Sequence, residues 1–559
     1  MKRFPFARPL LLVVSLLGTA FLVAATPATL VKPTAVLPPA VKAAAARIEG
    51  RRLEADVRFL ADDLLEGRAT GTRGYELAAR YVAARMSALG LEPAGSQGFL
   101  QPVPLRQAEL VREECSFALV HDGAETRFVI DEDYVMSGDI LREKWTTEAP
   151  LAFVGYGVSA PELGHDDFAG IDVRGKVIVS FRGAPPRFGH NERAYYSNNV
   201  IKDQAAAAHG AIGTLTVTRP DDDRREAWPR VTRGSRLPSF RWTDAGGAPA
   251  NTFALLEVAA RLSRQGLDAV FAHSRKPLAE AFVDADSSRP QAFDLGVAIK
   301  IHRVTRHASV LSPNVVGLLR GSDPTLSNEC IVVSAHLDHL GITTPVNGDS
   351  INNGAYDNAS GTAMMLEAAR AFVSLPTRPK RSILFLAVTG EEKGLQGSDY
   401  FARNPAPLGL NVVGNVNLDM VLTLTPLTHV IGFGAEHSSL GPILEKAAAA
   451  TGITLIPDPT PAEVVFVRSD QFSFVKQGVP AIYPTSGGDG TPHALEMATA
   501  WRGDHYHAPS DDMNQPFDWP SAAQFTRMAF YTTWLAADGR QAPRWNEGDF
   551  FGKRFGARK

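Results

Sequence analysis

The chain contains few cysteines. Cys115 and Cys330 are the two among its 559 residues, so one intramolecular disulfide is the most that can form. A disulfide can form if the protein is exported to an oxidising compartment. The alternative is that the two cysteines are separate buried thiols. A framework of several disulfides is therefore excluded as a source of stability.

The chain also has no large excess of either charge. Its 57 basic and 60 acidic side chains give a net charge of -3. A nucleic-acid-binding protein normally carries a basic patch, so the composition does not support that function. The 45% hydrophobic and 21% charged residues are typical of a globular protein, and the length indicates a few domains.

The N-terminal apolar run is shorter than a typical membrane-spanning helix. Basic residues precede the run from Leu10 to Val23, and small alanines follow it. This pattern is typical of a secretory signal peptide, whereas a membrane span needs about 20 apolar residues. We expect cleavage near residue 25 and a secreted or periplasmic protein without stable membrane association. An uncleaved anchor is the alternative.

Several common catalytic motifs are missing. The sequence contains no H-E-x-x-H, no G-x-S-x-G nucleophile elbow and no Walker-type phosphate loop. The sequence therefore lacks the motifs by which thermolysin-like proteases, serine hydrolases with a nucleophile elbow and P-loop enzymes are recognised.

Histidines and carboxylates instead follow several short apolar runs. IVVSA precedes His336, ILFLAV precedes the pair Glu391-Glu392, and VVGNVNL precedes Asp419. The runs predict buried strands, and parallel sheets place their chemistry just beyond the carboxyl ends of strands. Nitrogen and oxygen donors without cysteine are the ligands of a catalytic zinc-type site. We interpret the chain as a metal-dependent hydrolase.

Two further candidate ligands lie in loops. Asp357 occurs in GAYDNASG, where glycine and asparagine indicate an unusual backbone, and His507 occurs in DHYHAPSD. Taken alone, Asp357 is more simply a helix cap or a turn residue. The ordered co-occurrence of these residues with the strand-end candidates carries the prediction.

Two neighbouring pairs leave alternatives open. His336 and Asp338 are two residues apart, so on a strand end they share a face. Asp338 either supports the imidazole directly or acts from beneath the site. The pair Glu391-Glu392 is a solvated turn, or one carboxylate binds metal while its neighbour takes a proton from water.

The charge of the candidate set favours two metal ions. Asp357, Glu392 and Asp419 bring three negative charges if the histidines are neutral, and without a cation they would have to protonate in part. Two divalent ions and one bridging hydroxide return the sum to zero.

The patterning divides the chain into segments. Helices are predicted between about 47 and 90, and from 311 onward strands alternate with helices, which indicates a largely parallel sheet. The predicted organisation is a signal peptide (1–25), a linker (26–46), an N-terminal part of the main domain (47–147), an inserted domain (148–295), a catalytic domain (296–540) and a C-terminal tail (541–559).

These motifs, in this order, resemble metallopeptidase family twenty-eight, the co-catalytic zinc aminopeptidases. The resemblance runs from about residue 50 to 535 and includes LADDLLEGRATGTRG, AHLDH, GAYDNASGTAMMLEAAR, GEEKGLQGSDYF, NLDM, RSDQFSF and YHAPSD. It implies an α/β fold with a mixed, largely parallel sheet flanked by helices. The stretch FVGYGVSAPELGHDDFAGIDVRGKVIVSFRG resembles the small, β-rich α+β protease-associated domain that many members carry.

The resemblance also implies roles for the candidate residues. It implies two Zn²⁺ ions per chain, a general base, a supporting aspartate, a tyrosine that polarises the substrate carbonyl, and a cis peptide bond after the bridging aspartate. The implied assignment is one zinc on His336 and Asp419, the other on Glu392 and His507, Asp357 as the bridge, Glu391 as the base, Asp338 as the support of His336, and Tyr506 as the polarising group.

The implied mechanism is two-metal hydrolysis of peptides that have a free amino terminus. A bridging water loses its proton to Glu391 and attacks the carbonyl, and Glu391 passes the proton to the leaving amine. The alternatives are a carboxypeptidase or a glutaminyl-cyclase-like acyl transferase on the same scaffold, and a non-catalytic binding protein.

Overall fold

In a computed structural model of the chain, the structure describes residues 37–219, 227–287, 292–405, 409–422 and 424–556. The predicted signal peptide lies outside these ranges. The described α-helices are Pro39–Ala46, Gly50–Leu60, Arg73–Ala88, His190–Tyr196, Asn199–Ala208, Trp228–Ser235, Arg264–Phe271, Leu278–Ala285, Ser360–Val373, Gln396–Arg403, Leu440–Ala450, Gln471–Val475, Pro492–Asp504, Trp519–Asp538 and Phe550–Phe555.

The main sheet is mixed and largely parallel at its centre. Glu329–His336 lies between Ser382–Val388 and Asn411–Asn417 and runs parallel to both. Ala481–Ser486 continues the parallel part beside Asn411–Asn417. The flanking strands are Glu92–Pro93, Leu100–Leu110, Ser239–Trp242, the second half of Phe293–Leu319, His429–Phe433 and Thr454–Ile456. The predicted α/β sheet is thereby confirmed, as are the strands before the candidate ligands.

The long strand Phe293–Leu319 also belongs to a second sheet. Its first half pairs antiparallel with Ser116–His121 and Lys144–Phe153. The remaining strands of that sheet are Ala124–Arg127, Tyr134–Met136, Val177–Phe181, Gly213–Val217 and Val258–Leu262. Two short hairpins, Gly341–Val346 with Asp349–Asn352 and Ser159–Ala160 with His165–Asp166, complete the described strands.

The second sheet begins before the predicted boundary of the inserted domain. Residues 116–136 pair within it, although the sequence assigned them to the segment 47–147. The continuous strand through position 305 also joins the two sheets without a break. The limits 148–295 stay a prediction, and the strand pairing places the sheet's first strand near residue 116.

Helices cover both faces of the main sheet. On one face, Ser360–Val373 is buried along nearly its whole length and packs against Trp519–Asp538 and Gly50–Leu60. Phe372 and Phe530 meet there with ring centroids 4.4 Å apart. Burial of one such side chain stabilises the fold by about 1.5–3 kcal/mol. On the other face, Gln396–Arg403 and Gln471–Val475 pack together, so the parallel strands are held on both sides.

The ends of the described chain are more ordered than predicted. Within the predicted linker, Pro39–Ala46 forms a helix whose Val41, Ala44 and Ala45 are buried. Within the predicted tail, Phe551 and Phe555 are buried on the helix Phe550–Phe555. The prolines at positions 33, 38 and 39 made this stretch look like a linker in the sequence. Among the described helices, none combines the length and apolar character that a membrane crossing requires.

The two cysteines do not form a disulfide. Cys330 is buried in the central strand, whereas Cys115 is partly exposed and its thiol donates to the carbonyl oxygen of Val111 at 3.2 Å. The alternative of two separate thiols is therefore confirmed, except that one of them is not fully buried.

Candidate metal centre

The site is assembled at the carboxyl ends of three neighbouring parallel strands. Glu329–His336 ends at His336, Ser382–Val388 is followed by Glu391 and Glu392, and Asn411–Asn417 is followed by Asp419. Because adjacent parallel strands end at the same edge, these side chains converge although they are distant in sequence. The convergence predicted from the apolar runs is present.

One group of candidate ligands surrounds His336. Its Nε2 atom lies 3.1 Å from Oδ1 of Asp357 and 3.3 Å from Oδ1 of Asp419. The three residues are buried, and each offers a ligand atom within 4.8 Å of the others. Ser469 donates its hydroxyl to Oδ2 of Asp419 at 2.6 Å, which fixes that carboxylate.

A second group shares Asp357 with the first. Nε2 of His507 lies 3.3 Å from Oδ2 of Asp357 and 3.1 Å from Oε2 of Glu392. Asp357 therefore presents one oxygen to each group. His339, Asp357 and Glu392 also offer atoms within 4.8 Å of one another.

His339 is a contact that the sequence reasoning missed. Its Nδ1 atom lies 2.8 Å from Oε1 of Glu392, opposite the oxygen that faces His507. It follows Asp338 directly, and strand alternation alone would point it away from the His336 side. The backbone turns after His336, because the strand ends there, and this turn brings His339 to the site.

The position of the Asp357 side chain is fixed through the backbone on either side of it. The peptide bond between Asp357 and Asn358 is cis, as the family resemblance implied. The carboxylate of Asp511 accepts the N–H groups of Tyr356 at 2.8 Å and of Asp357 at 3.0 Å. Burial raises the pKa of Asp511 to about 8. Asp511 belongs to the YHAPSD motif, but its sequence position gave no indication of this positioning contact.

Asp338 contacts the site through both its carboxylate and its main chain. Its carboxylate accepts the hydroxyl of Thr70 at 3.0 Å and the N–H of Glu391 at 3.1 Å. Nδ1 of His336 lies 3.1 Å from the main-chain oxygen of Asp338. The main chain of Asp338 therefore contacts His336, while its carboxylate fixes the backbone of Glu391.

Arg68, in the N-terminal motif GRAT, stabilises the main chain next to the metal-ligand candidates. Arg68 is fully buried and donates to the carbonyl oxygens of Leu337 at 3.0 Å, Asn353 at 2.6 Å and Gly354 at 3.1 Å. It also donates to Leu60. Nothing in the sequence near Arg68 indicates its contacts with the strand end and with the loop before Asp357.

Glu391 differs from the other carboxylates of the site. Within the described part of the chain its carboxylate has no hydrogen-bond or ion-pair partner, and it lines a cavity together with His336, Asp357 and Asp419. Burial, with the nearby charge of Glu392, raises its pKa well above the usual value, although His336 acts in the opposite direction. Its position is that of a group that exchanges protons with a molecule in the cavity.

Tyr506 lies beside the second group. Its ring stacks on His507 with centroids 3.8 Å apart, and it lines the same cavity. Burial and the negative charge of Asp357 raise its pKa well above the usual value, so its hydroxyl stays a proton donor at neutral pH. Arg230 lies over the other side, 6.0 Å from the ring centroid.

The charges of the site call for a cation. Among the described residues, the ion pairs of Asp357, Glu392 and Asp419 are made with histidines, and no lysine or arginine pairs with them. Burial alone would lower the histidine pKa values, but the carboxylates raise that of His336 well above normal and that of His507 to about 9.

The donor set fits zinc. Imidazole nitrogens and carboxylate oxygens are its ligands in catalytic sites. Nε2 of His507 faces carboxylate oxygens of both Asp357 and Glu392, and the buried Nε2 of His339 has no hydrogen-bond partner among the described residues. Two ions with Asp357 between them would neutralise carboxylates that otherwise repel one another.

The cavity in front of the site has a volume of about 1500 Å³. Its wall includes the candidate ligands His336, Asp357 and Asp419, together with Tyr156 and Arg182, which follow strands of the second sheet. A volume of this size accommodates a peptide end rather than a single small molecule.

A comparison with models of protein families finds a match for the segment that contains the site. The model of Peptidase family M28 matches residues 314–533, the segment that holds all five candidate ligands and Glu391. This segment belongs to Peptidase family M28. The M28 segment includes the strands, the cis bond and the loop of His507 described above.

Relatives and solved structures agree with this. A probable zinc metalloprotease of Pyricularia oryzae is 40% identical over 109 residues, 19% of this chain and 20% of that protein. One from Pyrenophora teres f. teres is 27% identical over 271 residues, 41% of this chain and 53% of that protein. The chain thus spans about half or less of these two relatives. The aminopeptidase of Aneurinibacillus sp. strain AM-1 shares the fold, with a TM-score of 0.52 at 18% identity over 91% of this chain and 97% of that one.

Proposed function

We propose that the chain is an exported, dinuclear zinc aminopeptidase that removes amino-terminal residues from peptides. The single observation that carries the proposal is Asp357, whose two carboxylate oxygens face two separate groups of ligands. A shared aspartate is the arrangement that a pair of metal ions requires. The family membership of residues 314–533 supports peptide hydrolysis.

His336 and Asp419 would hold one zinc, and Glu392 and His507 the other, with Asp357 between them. When bound, the two ions would polarise the substrate carbonyl and lower the pKa of water to about 7. His339 would fix the orientation of Glu392 through its 2.8 Å contact, because outer contacts of this kind orient metal ligands.

Glu391 would be the proton carrier of the reaction. Its carboxylate faces the cavity without a competing partner among the described residues, so it is free to take a proton from the attacking water. It would then donate that proton to the leaving amine. The hydrogen bond from its own N–H to Asp338 keeps its backbone in place during both steps.

Tyr506 would donate its hydroxyl to the substrate carbonyl oxygen. Its neutral phenol and its place beside His507 support this role. The free amino terminus of the peptide would lie near Asp357 and Glu392, whose negative charge favours an ammonium group. A blocked amino terminus would lose that interaction, and this favours release of one residue at a time.

The segment around the second sheet would be a protease-associated domain that limits access to the site. Arg230 of this segment donates to the carbonyl oxygens of Arg502 at 3.2 Å and Gly503 at 2.7 Å, just before the loop of His507. Its contacts with that loop support a role in shaping the cavity rather than in chemistry.

The test is to incubate the zinc-loaded protein with a peptide and its N-acetylated twin and to follow both by mass spectrometry. Stepwise loss of amino-terminal residues from the free peptide alone, stopped by a chelator, is the expected result. Loss from the carboxyl end would show a carboxypeptidase instead. Cyclisation of an amino-terminal glutamine would show an acyl transferase.

A further inference from the structure

We infer that Arg502, with the hydroxyl groups of Tyr356 and Tyr483, forms a subsite that binds a carboxylate of the substrate. The inference rests on the proposed aminopeptidase function and names the class of substrate that the site prefers. All three side chains line the cavity whose wall also includes the candidate ligands His336, Asp357 and Asp419.

The guanidinium of Arg502 is available to a ligand. Arg502 lies near the end of the helix Pro492–Asp504 and is exposed to the cavity. No described residue forms a hydrogen bond or an ion pair with its side chain. The helix is anchored at this point, because the neighbouring Trp501 is buried against Tyr356 with ring centroids 4.6 Å apart. The cation is therefore held near the site with no ion pair among the described residues, while Glu463 acts on it electrostatically from beyond ion-pair distance.

Two phenol groups complete the subsite. Tyr356 immediately precedes the bridging Asp357, and Tyr483 lies on the strand Ala481–Ser486 next to the strand of Asp419. Both hydroxyls are close enough to Arg502 for electrostatic interaction, and neither has a hydrogen-bond partner among the described residues. A phenol is protonated at neutral pH because its ordinary pKa is about 10, so each can donate to an anion.

The other acids of the cavity wall form their ion pairs with other arginines. Outside the metal groups, the described carboxylates of the wall are Asp286 and Glu463. Asp286 pairs with Arg219 at 2.9 Å, and Glu463 pairs with Arg468 at 3.6 Å. Arginine with two hydroxyl donors is the arrangement that recognises a carboxylate.

A peptide substrate can bring that carboxylate in two ways. It is either the side chain of an amino-terminal aspartate or glutamate, or the terminal carboxylate of a short peptide. Isosteric pairs separate the two sources: glutamyl against glutaminyl nitroanilide for the side chain, and leucyl-glycine against leucyl-glycinamide for the terminus. In each pair the charge changes while the shape stays nearly the same.

The experiment measures kcat/KM for both pairs with the zinc-loaded full chain, and the Kd of L-glutamate and L-glutamine by calorimetry. The acid of at least one pair is expected to be favoured about 10- to 100-fold, the range of one charge-assisted hydrogen bond. Arg502→Met should bring that ratio close to one, and Arg502→Lys should restore part of it. Arg468→Met is the matched control, because Arg468 lines the same cavity but is paired with Glu463; its ratio should stay near the wild-type value.

The outcomes separate this inference from the proposed function. Turnover without preference for either acid, or a preference that survives in Arg502→Met, would overturn the subsite and leave the aminopeptidase standing. Tighter binding of L-glutamate that depends on Arg502, without any turnover, would support the subsite and overturn the aminopeptidase. Zinc content and circular dichroism of each variant establish that it is folded.

Discussion

Replacement of Glu391 by glutamine should abolish turnover and leave the zinc content unchanged. The amide has the same shape as the carboxylate, and the Glu391 carboxylate has no partner among the described residues whose contact the change would break. The hydrogen bond that anchors the residue uses its backbone N–H, so it survives the substitution. The variant isolates the loss of a proton acceptor.

The expected magnitude follows from the chemistry of proton transfer. A positioned general acid–base group contributes about 10²- to 10⁴-fold to the rate, which corresponds to about 2.7–5.4 kcal/mol of barrier. Because Glu391 would act in both the attack and the departure of the amine, we expect kcat to fall toward the upper end of this range.

The thermal stability of the metal-free Glu391→Gln variant should not fall with its activity. Burial and Glu392 raise the pKa of Glu391, so its ionised form is disfavoured in the folded, metal-free protein. The stability that such a group contributes is fully present below its unfolded pKa of about 4.3 and is lost as the pH rises through the folded value. At pH 8 the metal-free Glu391→Gln variant should therefore melt no lower than the wild type.

The assays are kcat on a saturating aminoacyl nitroanilide, zinc by elemental mass spectrometry, and Tm by calorimetry. Glu547→Gln is the matched control, since Glu547 is exposed and lies outside the M28 segment. Activity within tenfold of the wild type, with zinc retained, would refute the role of Glu391 as the proton carrier. Loss of zinc would instead make Glu391 a ligand.

Three further predictions concern residues that position the site or lie apart from it. Asp511→Asn should weaken zinc binding about 10- to 100-fold in a chelator competition, because Asp511 holds the N–H of Asp357 and outer contacts tune metal affinity by this amount; unchanged affinity would contradict the positioning role. Arg68→Met should lower the free energy of unfolding by about 3 kcal/mol or more, since it leaves several buried carbonyl oxygens without a donor; a calorimetric Tm equal to the wild type would contradict it. Lys202 is buried, donates to the carbonyl oxygen of Phe181 at 2.6 Å and has a pKa lowered to about 7 by burial, against about 10.4 in the unfolded chain. Its destabilising charge is fully present below pH 7 and lost as the pH rises to about 10.4, so the Tm of the wild type should rise relative to Lys202→Met across that window, and a constant difference would contradict this.

The sequence predicts the ligand-bearing strands well because each signal is local. A titratable residue just after a largely apolar run of five to seven residues is costly to bury unless its charge meets a partner. His336 and Asp419 directly follow such runs, and Glu392 follows one after three intervening residues. Their convergence then follows from the geometry of parallel sheets, which needs no long-range information beyond the alternation of strands and helices.

The missed contacts depend on long-range packing. Arg68 reaches Leu337 and Gly354 across more than 260 positions of sequence, and nothing near it indicates those partners. The second sheet extends to residue 116 because Ser116–His121 pairs with Phe293–Leu319. The sequence of one strand does not reveal which distant strand pairs with it. His339 was missed because a turn after the strand end reverses the expected side-chain direction.

The most direct test of the account is the number of zinc ions per chain in protein purified without chelator, measured by elemental mass spectrometry. The two ligand groups that share Asp357 predict about two zinc ions per active chain, and Asp357→Ala should lose both. One zinc ion in a fully active protein, or none with activity retained, would contradict the shared aspartate and with it the two-metal account.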